Sequence, residues 1–488
     1  MDLKTKVIRS MAWFIGTRLW VQGLSWAVTI VLARLLSPSD YGVYAMALAV
    51  IALLELFQEY GLSSAIIQRQ GLTKEQINTL FWIAFIGSLV VGSVGIGLAG
   101  MAAAFYQEPQ LRGIIQLLCV IFLLNAMGMI PYSLLTKEID FKQRSLAEAY
   151  GVITGSLVSL GLAWMGYGVW ALVLGHLVRA VVKNACYVVA ARWWPGLTVS
   201  FQDLGDLLRF SIRVAGANAV TNTLSDVATV SLIGRILGQE ALGFYSMAGS
   251  LGKNNPIHKL STQLIAQLCL PIFSKVQHSP QALQDHFLTI SKYLALIAFP
   301  VQIGLALVAH DVVLVLLTAK WLPMVPIFQL FCLGGLFYVL PLLSAPLLTA
   351  RDRTGLLFRY SLAAGIALPI AMGIGAFYGE LIGAGIAWLA AYGLSRVVLL
   401  WLSLREIDIS VARYWQQLMP SCLAALGMAV TVLGVAHGVS AAPAGIRLGA
   451  EISAGALSYG VLVWMRDRQL SQELRSALQM LVGRPAQG

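Results

Sequence analysis

Charged side chains are scarce in this sequence: 11% of its 488 residues are Asp, Glu, Lys or Arg, against roughly 25% in ordinary soluble domains. With 58% of residues hydrophobic and a mean hydropathy of +0.78, too little polar surface remains to coat a water-soluble globule. Cysteine is rare as well. Cys119, Cys186, Cys269, Cys332 and Cys422 lie inside apolar stretches, their number is odd and no CxxC spacing occurs. Neither a disulfide framework nor a zinc site is indicated. The sequence also lacks a glycine-rich phosphate loop, an acidic metal motif and any inter-span loop long enough to hold a catalytic domain. No catalytic residue, metal or cofactor is therefore expected, and a membrane-bound glycosyltransferase or polymerase is disfavoured.

What is present is a succession of apolar runs, each near the roughly 20 residues that a helix needs to cross a hydrocarbon core. In lipid every backbone amide must be satisfied locally, so these runs are helices. They show none of the alternation of a transmembrane barrel. About fourteen spans are expected, near 11–36, 41–67, 79–105, 111–135, 145–165, 168–191, 208–236, 241–272, 288–316, 323–349, 355–378, 381–403, 414–436 and 445–465. The first run follows Lys4, Lys6 and Arg9, but it is too long for a signal-peptide core and lacks a cleavage site, so it is expected to remain as a span.

The net charge is +11. Counted in alternate loops, Lys and Arg gather on one side, which by the positive-inside rule puts both termini in the cytoplasm. The positive charge is then an orientation signal rather than a nucleic-acid footprint, although the basic tail can also lie on anionic lipid.

The halves repeat. Arg34, Gly42, Tyr44 and Met46 align with Arg235, Gly243, Tyr245 and Met247 at an offset of 201. Gln116 and Cys119 align with Gln329 and Cys332 at 213, and Gly166, Gly168 and Arg179 with Gly383, Gly385 and Arg396 at 217. Three collinear blocks imply two six-helix repeats of like orientation, related by a pseudo-two-fold axis along the membrane normal. The expected fold is an all-α integral membrane protein with pseudo-symmetric lobes in 1–200 and 201–406. Two further transmembrane helices and a basic cytoplasmic tail would occupy 407–488.

Charges within lipid-crossing helices are costly and mark functional candidates, with snorkelling at helix ends as the ordinary alternative. Arg18 lies about two turns inside the first span. Glu55 and Glu59, one turn apart on the second span, sit at a similar depth and are candidates for coupling, gating or a structural pair with Arg18. The run GKNNPIHKLSTQ, residues 252–263, interrupts an apolar segment with Lys253, His258 and Lys259 around the helix-breaking Pro256. Polar, broken helix is tolerated at that depth where it lines a cavity. Arg179 and its repeat mate Arg396 are weaker members of this cationic set. Asp226 is a lone acid on the seventh span, able to bind a coupling proton or cation or to pair with a neighbour such as Arg213. His176 and His310 read as packing or interface residues. A cavity dominated by Arg and Lys calls for an anionic substrate.

The stretches ARLLSPSDYGVYAMA (33–47), QEYGLSSAIIQR (58–69), FKQRSLAE (141–148), GYGVWALVLG (166–175) and PIFSKV (271–276) resemble polysaccharide exporters of the multidrug/oligosaccharidyl-lipid/polysaccharide flippase superfamily. So does residues 210–248, where Asp226, Gly234, Gly238, Gly243 and Tyr245 occupy motif positions. The resemblance is to Wzx-type flippases, in particular colanic-acid and exopolysaccharide exporters. It implies that undecaprenyl-pyrophosphate-linked oligosaccharide repeat units are flipped across a bacterial inner membrane, by alternating access through a cationic central cavity. Membrane lipids would be partners; proton or sodium coupling and association with polymerase or assembly proteins stay open. The alternatives are a cation-coupled multidrug antiporter of the same superfamily, which would favour an acidic cavity, and a non-transporting component of polysaccharide assembly.

Overall fold

The computed structural model describes residues 3–58, 71–138, 140–198, 217–253 and 269–466 together with the isolated positions 63, 66, 67, 69 and 265; within helices, the side chains of 3–15, 18, 19, 217–222 and 466 are outside the description. Every regular element among the described residues is helical. Ten helical segments are long and apolar enough to cross a membrane.

The helices of the first half are α1 (Leu3–Leu35), α2 (Pro38–Gln58), α3 (Lys74–Tyr106), α4 (Gln110–Leu118), α5 (Val120–Lys137), α6 (Phe141–Trp164) and α7 (Val169–Ala191). Those that follow are α8 (Ala217–Leu251), α9 (Pro280–Leu307), α10 (Ala309–Leu316), α11 (Val325–Val339), α12 (Ser344–Ala350), α13 (Thr354–Glu406), α14 (Val411–Gly438) and α15 (Ala444–Arg466). Two of these are helical pairs. Gly238 breaks α8 at φ 82°, and Gly379 with Glu380 breaks α13, Glu380 standing at φ 52°. At the second break the chain reverses, because a Cβ on Gly375 would strike the carbonyl of Gly383, eight residues on and about 12 Å away along an unbroken helix. Each break falls between two of the expected spans, so α13 counts twice as a crossing.

Helix starts are fixed by short polar caps. The Thr73 hydroxyl accepts from Gln76 N at 3.2 Å while Thr73 N donates to Gln76 Oε1 at 3.1 Å, opening α3 with a reciprocal cap. Asp140 caps α6 through Gln143 N, and Ser410 caps α14 through Arg413 N.

The chain divides into two compact units, Met1–Ser246 and Met247–Gly488. In the first, α6 and α7 pack so closely that a Cβ on Gly155 would meet the carbonyl of Gly175 and the Cβ of Arg179, and one on Gly175 would meet Ser159. Small residues at such a seam let two backbones approach where lipid supplies no hydrophobic drive. The same unit holds the physical trace of the repeat. A Cβ on Gly42 would collide with the carbonyl of Gln239, and one on Gly243 with the carbonyl of Pro38. Gly42 and Gly243 are repeat mates, and so, at the same offset of 201, are Pro38 and Gln239. Residue i touches j′ and i′ touches j, the reciprocity that a local two-fold axis imposes.

The second unit is centred on Phe273, Phe287, Leu343, Leu347, Tyr414 and Leu418, with the Tyr414 hydroxyl donating to the Leu340 carbonyl at 3.0 Å. Leu362, Ile366, Ile370 and Ile374 recur every fourth residue on α13, and all are exposed. An uninterrupted apolar stripe of this kind faces lipid. Only 11% of the apolar window of α15 is buried, which makes that helix peripheral and lipid-facing too.

Candidate functional site

The first unit holds a polar pocket of about 480 Å³ between α5, α6 and α7. Its basic wall comes from α7, where Arg179 and Lys183 lie one turn apart on one face. Gly155 of α6 positions this wall, since any larger side chain there would displace Arg179. The pocket also holds Asn125 of α5 and Asn184 of α7, whose amide nitrogen donates to Asn125 Oδ1 at 3.4 Å. Asn184 reaches that point because Gly128 leaves room for it.

The acid of the pocket is Glu148 on α6. It lies 3.7 Å from Arg144 Nε and accepts from the Tyr187 hydroxyl at 3.5 Å. Arg144 stacks over Tyr132 at 4.7 Å, and Tyr132 meets Tyr187 edge-on at 5.6 Å. Glu148 thus pairs with Arg144 and also acts electrostatically on Lys183. Among the described residues neither Arg179 nor Lys183 makes an ion pair. Arg179 is exposed and Lys183 half-buried. One turn before Arg179, His176 accepts or donates a 2.6 Å hydrogen bond with the Tyr44 hydroxyl of α2, a packing role as expected for it.

The other sequence candidates fall in separate places. Glu55, on α2, is exposed and close enough to Lys183 to act on it electrostatically. Asp226 is exposed on α8 and makes no ion pair with a described residue. In the second unit Lys253 lies in the turn just after α8, its ammonium 5.5 Å from the Phe331 ring centroid. Arg396, on the second half of α13, stacks on Tyr392 at 4.6 Å. The side chain of Arg18, and Glu59, His258, Lys259 and Arg213 altogether, lie outside the described residues.

Two groups that the sequence did not single out emerge from packing. Glu148 is one; its motif FKQRSLAE was legible, its place in a pocket was not. The other is an ion pair between α10 and α15, its acid buried and its base half-exposed. Arg447 forks onto both carboxylate oxygens of Asp311 through Nε and Nη2, and His310 Nδ1 lies 3.0 Å from the same carboxylate. The guanidinium of Arg447 holds the Asp311 carboxyl below the usual carboxylate range, against the opposing effect of burial. Glu451 of α15 closes a pocket of about 330 Å³ beside this pair. No group of three or more metal-ligating side chains occurs among the described residues.

Residues 31–326 match the family described as "Polysaccharide biosynthesis protein". Similar proteins include the succinoglycan biosynthesis transport protein ExoT of Rhizobium meliloti, 24% identical, covering 96% of this chain and 94% of that one. The teichuronic acid biosynthesis protein TuaB of Bacillus subtilis is 26% identical over 83% and 84%. The lipopolysaccharide biosynthesis protein WzxC of Escherichia coli is 26% identical over 74% and 73%. In three dimensions the chain is similar to the lipid II flippase MurJ in an inward closed conformation, with a TM-score of 0.75 at 14% identity, covering 94% of this chain and 99% of that one. It is also similar to an inward-facing multidrug resistance MATE family transporter, with a TM-score of 0.65 at 14% identity over 79% and 94%. The fold is thus the two-lobed helical transporter fold of these proteins.

Proposed function

The chain belongs to the polysaccharide biosynthesis protein family, and from that premise we propose that it is a flippase for lipid-linked oligosaccharide. The cargo is a repeat unit on undecaprenyl pyrophosphate, moved from the cytoplasmic to the outer leaflet of a bacterial inner membrane by alternating access. The observation that carries this reading is the pair Arg179 and Lys183, two cations one turn apart with no ion-pair partner among the described residues, lining a pocket of about 480 Å³. A guanidinium holds phosphate oxygens in a fork and an ammonium acts as a movable point charge, so the pair suits a diphosphate. The asparagines and tyrosines beside it offer hydrogen bonds to sugar hydroxyls. The names of the relatives, a succinoglycan transport protein among them, support a cargo of this class.

Under the same proposal Arg18, Lys253, His258, Lys259 and Arg396 extend the cationic lining. Glu55, Glu59 and Asp226 are the coupling or gating acids for a proton or sodium ion. Both termini are cytoplasmic, the lobes run 1–200 and 201–406, and a polymerase or assembly protein receives the cargo. The runner-up is a multidrug antiporter, favoured by the likeness to the MATE transporter. Such a protein needs an acidic site for a cationic drug, whereas this pocket sets one acid, Glu148, 3.7 Å from Arg144, against Arg179 and Lys183.

The test is delivery of repeat units to the outer leaflet in cells lacking the protein, read with a membrane-impermeant glycosidase or label on spheroplasts. Accumulation of inner-leaflet intermediates, with labelling restored by the functional gene, is the expected result. Unchanged labelling with loss of polymer would move the protein to a step after flipping.

A further inference from the structure

Arg179 and Arg396 are repeat mates, yet their surroundings differ. Arg179 shares its pocket with Lys183, Glu148 and amides. The Arg396 guanidinium lies 4.6 Å over Tyr392 and 6.0 Å from the Tyr338 centroid. Tyr392 stacks in turn on Trp388, 4.7 Å away and 15° from parallel, and Trp388 meets Phe331 edge-on at 4.6 Å. Phe331 and Trp388 are buried, the wall of the box, while Tyr338, Tyr360 and Tyr392 are half-buried.

Two features of this box are unusual. Among the described residues no carboxylate lies within ion-pair distance of Arg396; the groups acting on it are Tyr392, through charge and a side-chain hydrogen bond, and Tyr360 and Tyr338 electrostatically. In addition Arg396 Nε and the Tyr360 hydroxyl are both buried without a hydrogen-bond partner. A stacked guanidinium still has its in-plane donors to satisfy, and cation–π stacking offsets only part of the cost of withdrawing it from water. A negatively charged acceptor would satisfy Arg396 Nε.

We propose that Arg396, within the box of Tyr338, Tyr360 and Tyr392, binds the carboxylate of an acidic sugar in the transported repeat unit. This rests on the flippase reading above and adds a substrate class to it. The edge formed by Nε and one terminal nitrogen of a guanidinium matches the two oxygens of a carboxylate. Lys253, 5.5 Å from the Phe331 ring, adds positive charge beside the box, and the Arg396 fork itself matches one carboxylate. Tyrosine faces and hydroxyls are the surroundings a pyranose ring prefers, apolar against its C–H face and hydrogen-bonding at its rim. The same guanidinium could instead hold a phosphate oxygen of the carrier, which is common to every cargo, so the experiment must separate sugar from carrier.

Cells lacking the protein are supplied with wild type, Arg396→Gln or Arg396→Lys. Each is given a hexuronate-bearing repeat unit or its neutral-hexose counterpart on the same lipid carrier. Outer-leaflet delivery of both units is measured with an impermeant label, and the ratio of acidic to neutral delivery is the readout. A ratio is insensitive to expression or partial misfolding. The expected result is a ratio about tenfold lower in Arg396→Gln, as for loss of one charge-assisted hydrogen-bonding group. Arg396→Lys, which keeps charge but not the fork, falls in between. Equal loss of both units, or an unchanged ratio, overturns the assignment and leaves Arg396 to the carrier or the fold. If wild type delivers neither unit, the flippase reading itself has failed and this inference falls with it.

Discussion

At the scale of single residues, two charged groupings treat ion pairing in opposite ways. Arg179 and Lys183 are kept without ion-pair partners among the described residues, and that is what makes them available to a ligand. Replacing both by Ala is expected to lower delivery of repeat units to the outer leaflet by about tenfold or more, the loss of one or two charge-assisted phosphate contacts. Membrane abundance, checked by blotting, should be retained because Ala keeps the Cβ contacts with Gly151 and Gly155 and no ion pair with a described residue is lost. Normal delivery from the double variant would remove the diphosphate site from α7. Asp311 is the contrasting case, an acid committed to a fork from Arg447. Its carboxyl is held below the usual range, so its stabilising contribution is present above the unfolded-state value near 3.9 and is lost only as pH falls through the lower folded value. Asp311→Asn should therefore lower the melting temperature of the purified protein by roughly 2–4 °C at pH 7 and at pH 5 alike. The difference should close only below about pH 4. A variant as stable as wild type at pH 7 would show that the pair does not hold α15 to α10.

At the scale of elements, the start of α2 and the part of α8 after Gly238 meet backbone to backbone through Gly42 and Gly243. A carbonyl cannot swing aside as a flexible side chain can, so a methyl group at either position must push the segments apart. Gly42→Ala and Gly243→Ala should each cost about 1–3 kcal/mol of overpacking and, being symmetry mates, should reduce export to a similar extent. Gly97→Ala and Gly434→Ala, where an added Cβ meets nothing, are the controls and should export normally. A strong effect at Gly42 with none at Gly243 would break the reciprocity. This contact also marks how far the sequence reaches. Collinear blocks of matches exposed the repeat, and hydropathy exposed the helices, including the pairs hidden in α8 and α13, because Gln239 with Glu240, and Glu380, interrupt apolar runs that a membrane makes conspicuous. That Gly42 faces Gln239 was not legible, since nothing in a glycine announces what presses on it. The same holds for Asp311 and Arg447, 136 positions apart, whose partnership depends on two helices meeting. Arg179 could be flagged by its charge and Glu148 could not, because one acid in a recognisable motif looks like any other until Tyr187 and Arg144 close around it.

At the scale of the whole molecule, the proposed function ties the energy available for transport to the charge of the proposed cargo. Over a complete cycle the protein returns to its starting state, so its own cations cancel and only the charge of what is carried crosses the membrane. A lipid diphosphate with one negative charge on each phosphate, moved outward across an inside-negative membrane, runs downhill by about 4–5 kcal/mol at 100 mV. That corresponds to an equilibrium bias of roughly three orders of magnitude. An acidic sugar bound at Arg396 would add to it. Inward movement of a proton or sodium ion through Glu55 or Asp226 would reinforce the potential but is not required to give transport a direction. Outer-leaflet labelling in spheroplasts should therefore slow several-fold when valinomycin and potassium collapse the potential while a pH gradient is kept. It should slow less when nigericin removes the pH gradient and spares the potential. The reverse order of sensitivity would mean that the cargo's charge leaves compensated by cations. In that case a proton-linked acid, with Glu55 and Asp226 the first to substitute, would have to supply the direction that the potential cannot.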